Sequence, residues 1–82
     1  MQVRVEFTTE PFHGEGELPR HVAAAAAPLT EAGLEPDLGP LGTSVEGDAD
    51  TVITALSRGL RAALGEGATR ITVQVEAVAD DV

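Results

Sequence analysis

Strict alternation of apolar and polar residues at both ends of the chain is the feature that most limits its fold. Over residues 2–9, Val3, Val5 and Phe7 point one way and Gln2, Arg4, Glu6 and Thr8 the other. Over 69–78, Ile71, Val73 and Val75 alternate with Thr72, Gln74 and Glu76. A period of two with one apolar side predicts half-buried strands. Between them the period changes to that of helices. Leu18-Pro19 opens a segment in which Val22, Ala25, Ala26, Leu29 and Ala32 share a face. Pro19 suits its first turn and Gly33 the position just past its end. Pro28 is expected to kink this helix, which then continues, with a break into two pieces as the alternative. A second helix, capped by Asp48 or Asp50, has Val52, Ile53, Leu56, Leu60, Ala63 and Leu64 as its expected buried stripe; Gly65 and Gly67 end it.

Two further strands complete the pattern. Leu34 to Gly39 reads as a short strand that Pro36 confines to an edge. Gly39-Pro40-Leu41-Gly42 supplies a turn, and Thr43 to Glu46 forms a third strand with Val45 inward, closed by Gly47. The order β-α-β-β-α-β is that of the ferredoxin-like arrangement, an α+β fold with a four-stranded antiparallel sheet and both helices on one face. Right-handed crossovers are expected to place strands 1 and 3 side by side in the centre, and within that pair the expected direction is parallel. Thr8-Thr9 and Glu46-Gly47 then meet at one rim, beside the starts of both helices.

The core available to this fold is small. Of 82 residues 35 are apolar and 13 of these are alanine, so 22 larger apolar side chains serve a single domain spanning residues 1–82. With no cysteine there is no disulfide, and oligomerisation is the expected extra source of stability.

Charge and composition exclude several functions. The net charge is −9, spread as −5 over residues 1–41 and −4 over 42–82. No basic stripe exists to release counterions from a nucleic acid, and two phenylalanines offer no series of stacking platforms. The longest apolar run, Val22 to Leu29, is far short of a membrane span, and the first residues lack the apolar stretch of a signal peptide, so a cytoplasmic protein without membrane association is expected. The chain has no Cys, Lys, Tyr, Trp or Asn, and neither His13 nor His21 stands in a nucleophile motif; no enzyme activity and no catalytic residues are expected. His13, Glu15 and Glu17 form an H-x-E-x-E run, but its spacing matches no defined metal site and the expectation is no metal.

The open face of the sheet is the informative surface. If the apolar residues face the helices, the other side presents Arg4, Glu6, Thr8, Ser44, Glu46, Thr72, Gln74 and Glu76. Such a face suits a cationic or amine-bearing ligand, or a second sheet.

The segment GPLGTSVEGD at 39–48, with VEFTTEPF at 5–12, EAGLEPDLGP at 31–40 and GATRITVQVE at 67–76, resembles the thiamine-binding protein family of YkoF-like ferredoxin fold. The likeness covers almost the whole chain, although an alanine- and arginine-rich second helix, of high-GC bacterial type, replaces a lysine-rich one. The resemblance implies a protein that binds thiamine or its hydroxymethyl-pyrimidine half, with no other cofactor, and that pairs through its sheets as a homodimer or homotetramer. It also implies the ligand residues: Thr43, Ser44 and Glu46 of the G-T-x-V-E segment, and Thr9 with Phe12 of T-E-P-F. A carboxylate can pair with an aminopyrimidine ring nitrogen, hydroxyls can orient its amine, and an aromatic ring can cover it. Two alternatives stay open. Glu46, Asp48 and Asp50 can instead satisfy helix N-terminal N–H groups, which attract anions. The open face can also serve only assembly, as in a structural or regulatory interaction module with no small-molecule ligand.

Overall fold

A computed structural model describes residues 1–12, 17–39 and 42–79. Six elements follow in the order β1 (Gln2–Glu10), α1 (Arg20–Glu31), β2 (Asp37–Leu38), β3 (Thr43–Asp48), α2 (Ala49–Gly65) and β4 (Arg70–Val78). The strands make one sheet in the order β2-β3-β1-β4, with every neighbouring pair antiparallel. The ferredoxin-like arrangement is therefore present.

The direction of the central pair corrects one expectation. β1 and β3 are antiparallel, with Gln2 opposite Asp48 and Phe7 opposite Thr43. A strand–helix–strand unit returns β2 to the direction of β1, and the tight β2–β3 connection then reverses β3. The end of β1 consequently meets the start of β3. Thr8-Thr9 and Glu46-Gly47 lie at opposite ends of the sheet, as do the two helix starts, so no shared rim of helix N-termini exists.

Both helices end alike. At α1 the N–H of Leu34 donates to Leu29 O and that of Gly33 to Thr30 O; at α2 the N–H of Ala68 donates to Ala63 O and that of Gly67 to Leu64 O. This paired pattern needs a left-handed residue, supplied by Gly33 at φ 86° and Gly67 at φ 100°. α2 starts under Asp48, whose carboxylate accepts from the Thr51 N–H at 3.4 Å. α1 has no side-chain cap and runs unbroken through the buried Pro28.

Several boundaries and faces differ from expectation. β3 continues through Gly47 to Asp48 because a side chain at Gly47 would come within 2.8 Å of Leu34 Cδ2, and its absence lets the strand lie against the core. β2 is only two residues long, since Leu34, held by the α1 terminus, packs on the core instead of extending an edge. On α1 the buried residues are His21, Ala25, Ala26, Pro28 and Leu29, with Val22 half-buried and Ala32 exposed. On α2 they are Val52, Ala55, Leu56, Gly59 and Ala63, while Leu60 is half-buried and Ile53 and Leu64 are exposed. The α2 face is rotated because it must serve α1 as well as the sheet. Gly59 marks a close helix approach: a Cβ there would collide with the carbonyl oxygen of Ala25. Gly59→Ala is therefore expected to destabilise the fold by about 1–3 kcal/mol, the range for overpacking, measurable as a lowered urea midpoint. Val75, expected inward, is 50% exposed, for it stands on the outer strand where no helix covers it.

Val3, Val5 and Phe7 of β1 and Val45 of β3 form the core with Ala25, Leu29, Val52, Ala55, Leu56, Ala63 and Ala68. The opposite face of the sheet is left uncovered by either helix.

Candidate functional site

Cross-strand register aligns the open-face residues in rows. One row runs across all four strands: Asp37 on β2, Ser44 on β3, Glu6 on β1 and Gln74 on β4. Thr8 of β1 and Thr72 of β4 form the next outward-facing pair. These six residues, with Phe7, Gly39, Gly42 and Thr43, line a hollow of about 450 Å³, within the usual size for a small-molecule site.

Glycine positions the wall at the turn end. The N–H of Gly39 donates to Gly42 O at 2.8 Å. A Cβ on Gly42 would sit 3.0 Å from Thr8 Cγ2 and 3.1 Å from Phe7 O, so the lack of a side chain lets Gly42 lie against the end of β1.

The chemistry of the hollow is one-sided. Glu6 and Asp37 supply two carboxylates, separated by the Ser44 hydroxyl, and among the described residues no basic one lines it. Two strand spacings put their backbones about 10 Å apart. Gln74 adds an amide that both donates and accepts, and Thr8 and Thr72 add hydroxyls. The nearest arginine in the register is Arg4, one outward row away, and it leans toward Glu76 at 3.9 Å. Arg4 and Glu76 border a second, smaller hollow that shares Glu6 and Gln74 with the first. An anion would meet carboxylates here, whereas a cation with hydrogen-bonding edges would meet partners.

The residues expected from sequence are not brought together. Ser44 and Thr43 line the hollow. Thr9 lies on the helix side, 5% exposed, its Oγ1 2.6 Å from Nδ1 of the buried His21. Phe12 follows the cis Glu10–Pro11 bond, is 61% exposed, and is not among the lining residues. Glu46 is exposed on the open face opposite Arg4, outside the hollow. The expected helix-end role falls to Asp48 alone of the three acidic residues at α2, since only its side chain accepts a helix N–H. The H-x-E-x-E run has His13 and Glu15 outside the described residues; among the described residues no group of three metal-ligating side chains comes together. Glu6, Thr8, Thr72 and Gln74 were readable as open-face residues from alternation, but the gathering of this subset with Asp37 depends on register.

Comparison with known proteins decides the family. The model of the thiamine-binding protein family matches residues 5–80. The chain belongs to that family. Three solved structures show the same fold at identities too low to show more. A domain of unknown function, DUF77, from Bacillus cereus is 21% identical, with 92% of this chain and 72% of that one covered and a TM-score of 0.64. SP2199 from Streptococcus pneumoniae is 20% identical, covering 98% and 89%, at a TM-score of 0.70. TM0486 from Thermotoga maritima, described as a candidate protein of thiamine biosynthesis or salvage, is 22% identical, covering 93% and 81%, at 0.63. No curated protein sequence matches the chain. Among the described residues no helix is long and apolar enough to cross a membrane.

Proposed function

We propose that this protein binds thiamine, or its hydroxymethyl-pyrimidine half, without catalysis, in the open-face hollow. Family membership supports a thiamine-related ligand. The observation that carries the location is a hollow that, among the described residues, is lined by two carboxylates and no basic side chain. Thiamine combines a cationic thiazolium with an aminopyrimidine whose amine donates and whose ring nitrogen accepts. Glu6 and Asp37 attract the cation. The Gln74 amide matches the aminopyrimidine edge, accepting from the amine and donating to the ring nitrogen, while Ser44, Thr8 and Thr72 fix its orientation. The protein acts in the cytoplasm and needs no further cofactor. Calorimetric titration tests the function: saturable heat with thiamine supports it, and no heat up to millimolar thiamine or pyrimidine overturns it.

In this account Thr9 is a structural residue. Thr9→Val leaves the buried His21 Nδ1 without its 2.6 Å contact and is expected to lower stability by about 1–2 kcal/mol. Thiamine affinity of the folded variant stays within error of the parent; a tenfold loss at unchanged stability would instead make Thr9 a ligand residue.

The competing reading is an interaction module that assembles as a homodimer or homotetramer with no small-molecule ligand. It is favoured by the exposed apolar residues Ile53, Leu64 and Val75. Assembly without any heat of thiamine binding would select it.

A further inference from the structure

The row of the sheet beside the large hollow holds a cation of its own. Arg4 is the next residue to Glu6 on the same face of β1, about 7 Å away along the strand. Among the described residues it is the one basic side chain that borders either hollow. Its cross-strand neighbours are both glutamates, Glu46 on β3 and Glu76 on β4, each about 5 Å away between Cα atoms. The guanidinium lies toward Glu76, with Nη1 3.9 Å from Oε1. The smaller hollow, about 230 Å³, has Arg4 and Glu76 on one row and Glu6 and Gln74 on the next. It is open space into which the guanidinium can turn to reach Glu6.

We propose that Glu46 and Glu76 are positioning residues that hold Arg4 off Glu6 and so keep the large hollow selective for a cation. The role depends on thiamine occupying that hollow. A guanidinium pairs with the carboxylates nearest to it, and opposite charges directly across an antiparallel ladder attract. With both cross-strand glutamates in place Arg4 has a carboxylate on either side, each closer than Glu6. With both neutralised, Glu6 is the next carboxylate on the same face. Arg4 turned onto Glu6 would occupy one of the two acceptors that attract the thiazolium and set a positive charge beside its seat. Either glutamate alone still offers Arg4 a nearer partner, so replacing Glu46 by itself has little effect. Arg4 in turn offsets the repulsion among Glu6, Glu46 and Glu76 on three adjoining strands, which explains an arginine beside a cation site.

Three variants test the role: Glu46→Gln/Glu76→Gln, the same pair with Arg4→Gln added, and Arg4→Gln alone. All three positions are exposed, so the core is untouched, and circular dichroism checks the folding. In calorimetric titration the Glu46→Gln/Glu76→Gln variant is expected to bind thiamine about fivefold more weakly than the parent, near the upper end for one exposed ion pair. Adding Arg4→Gln is expected to restore affinity to within about twofold, since only distant, screened charge is then lost. Arg4→Gln alone binds thiamine at least as tightly as the parent. The neutral hydroxymethyl-pyrimidine changes by less than about twofold throughout. Parent-like thiamine affinity in Glu46→Gln/Glu76→Gln overturns the proposal. So does an equal loss with and without Arg4, which would show that the glutamates act through bulk charge alone. Both results leave thiamine binding by the parent intact, whereas a parent that binds neither thiamine nor the pyrimidine removes the ligand site and this role together.

Discussion

Leu29→Ala is expected to remove about 3 kcal/mol of stability, near the middle of the range for a fully buried leucine. Leu29 is wholly inaccessible and is the one large apolar side chain that α1 contributes to the core cluster; the other buried residues of α1 are His21, Ala25, Ala26 and Pro28. Small neighbours cannot extend into the void, and the approach of the helices is already limited by the contact at Gly59. A chain of this length has a total stability of about 4–12 kcal/mol, so the loss is a large fraction of it. Urea unfolding checks this through a lowered midpoint at constant slope. A loss below about 1 kcal/mol would mean that α1 is not packed through Leu29.

The second large effect concerns the ligand. Glu6 and Asp37 are both exposed, so neutralising them leaves the core intact. Glu6→Gln and Asp37→Asn are each expected to weaken thiamine binding by about 1–2 kcal/mol, a charge-assisted contact reduced by solvent screening. The double variant falls further, and its loss shrinks as salt is added to the parent's binding buffer. The neutral hydroxymethyl-pyrimidine loses less than thiamine does, because it lacks the thiazolium. Glu46→Gln, on the same face but outside the hollow, is expected to change affinity by less than about threefold. Equal losses for thiamine and pyrimidine in the double variant would contradict an electrostatic role for the two carboxylates.

Much of this arrangement was legible in the order of residues. Alternation assigned β1 and β4 with their correct faces, and it placed Glu6, Thr8, Ser44, Thr72 and Gln74 on one surface. Gly33, Gly67 and Asp48 marked helix ends because each does something there that few residues can do. The relative direction of β1 and β3 was missed because periodicity carries no direction; it comes from counting reversals through the crossover and the turn. Thr9 was missed as a core residue because a hydroxyl signals polarity, while its odd position beside Phe7 puts it on the helix side, where buried His21 bonds it. Asp37 was missed because a two-residue strand has no period to read; only pairing with Ser44 sets it on the open face. Val75 fits the inward pattern, and its exposure depends on how far the helices extend over the sheet.

A residue-resolved NMR titration of the unmodified protein with thiamine tests binding in the open-face hollow most directly. Saturable amide shifts are expected, concentrated at Glu6, Thr8, Asp37, Ser44, Thr72 and Gln74, with little change at Phe12 or in α1. Shifts centred instead on Thr9, Phe12 and the start of α1, with the open face silent, would contradict it.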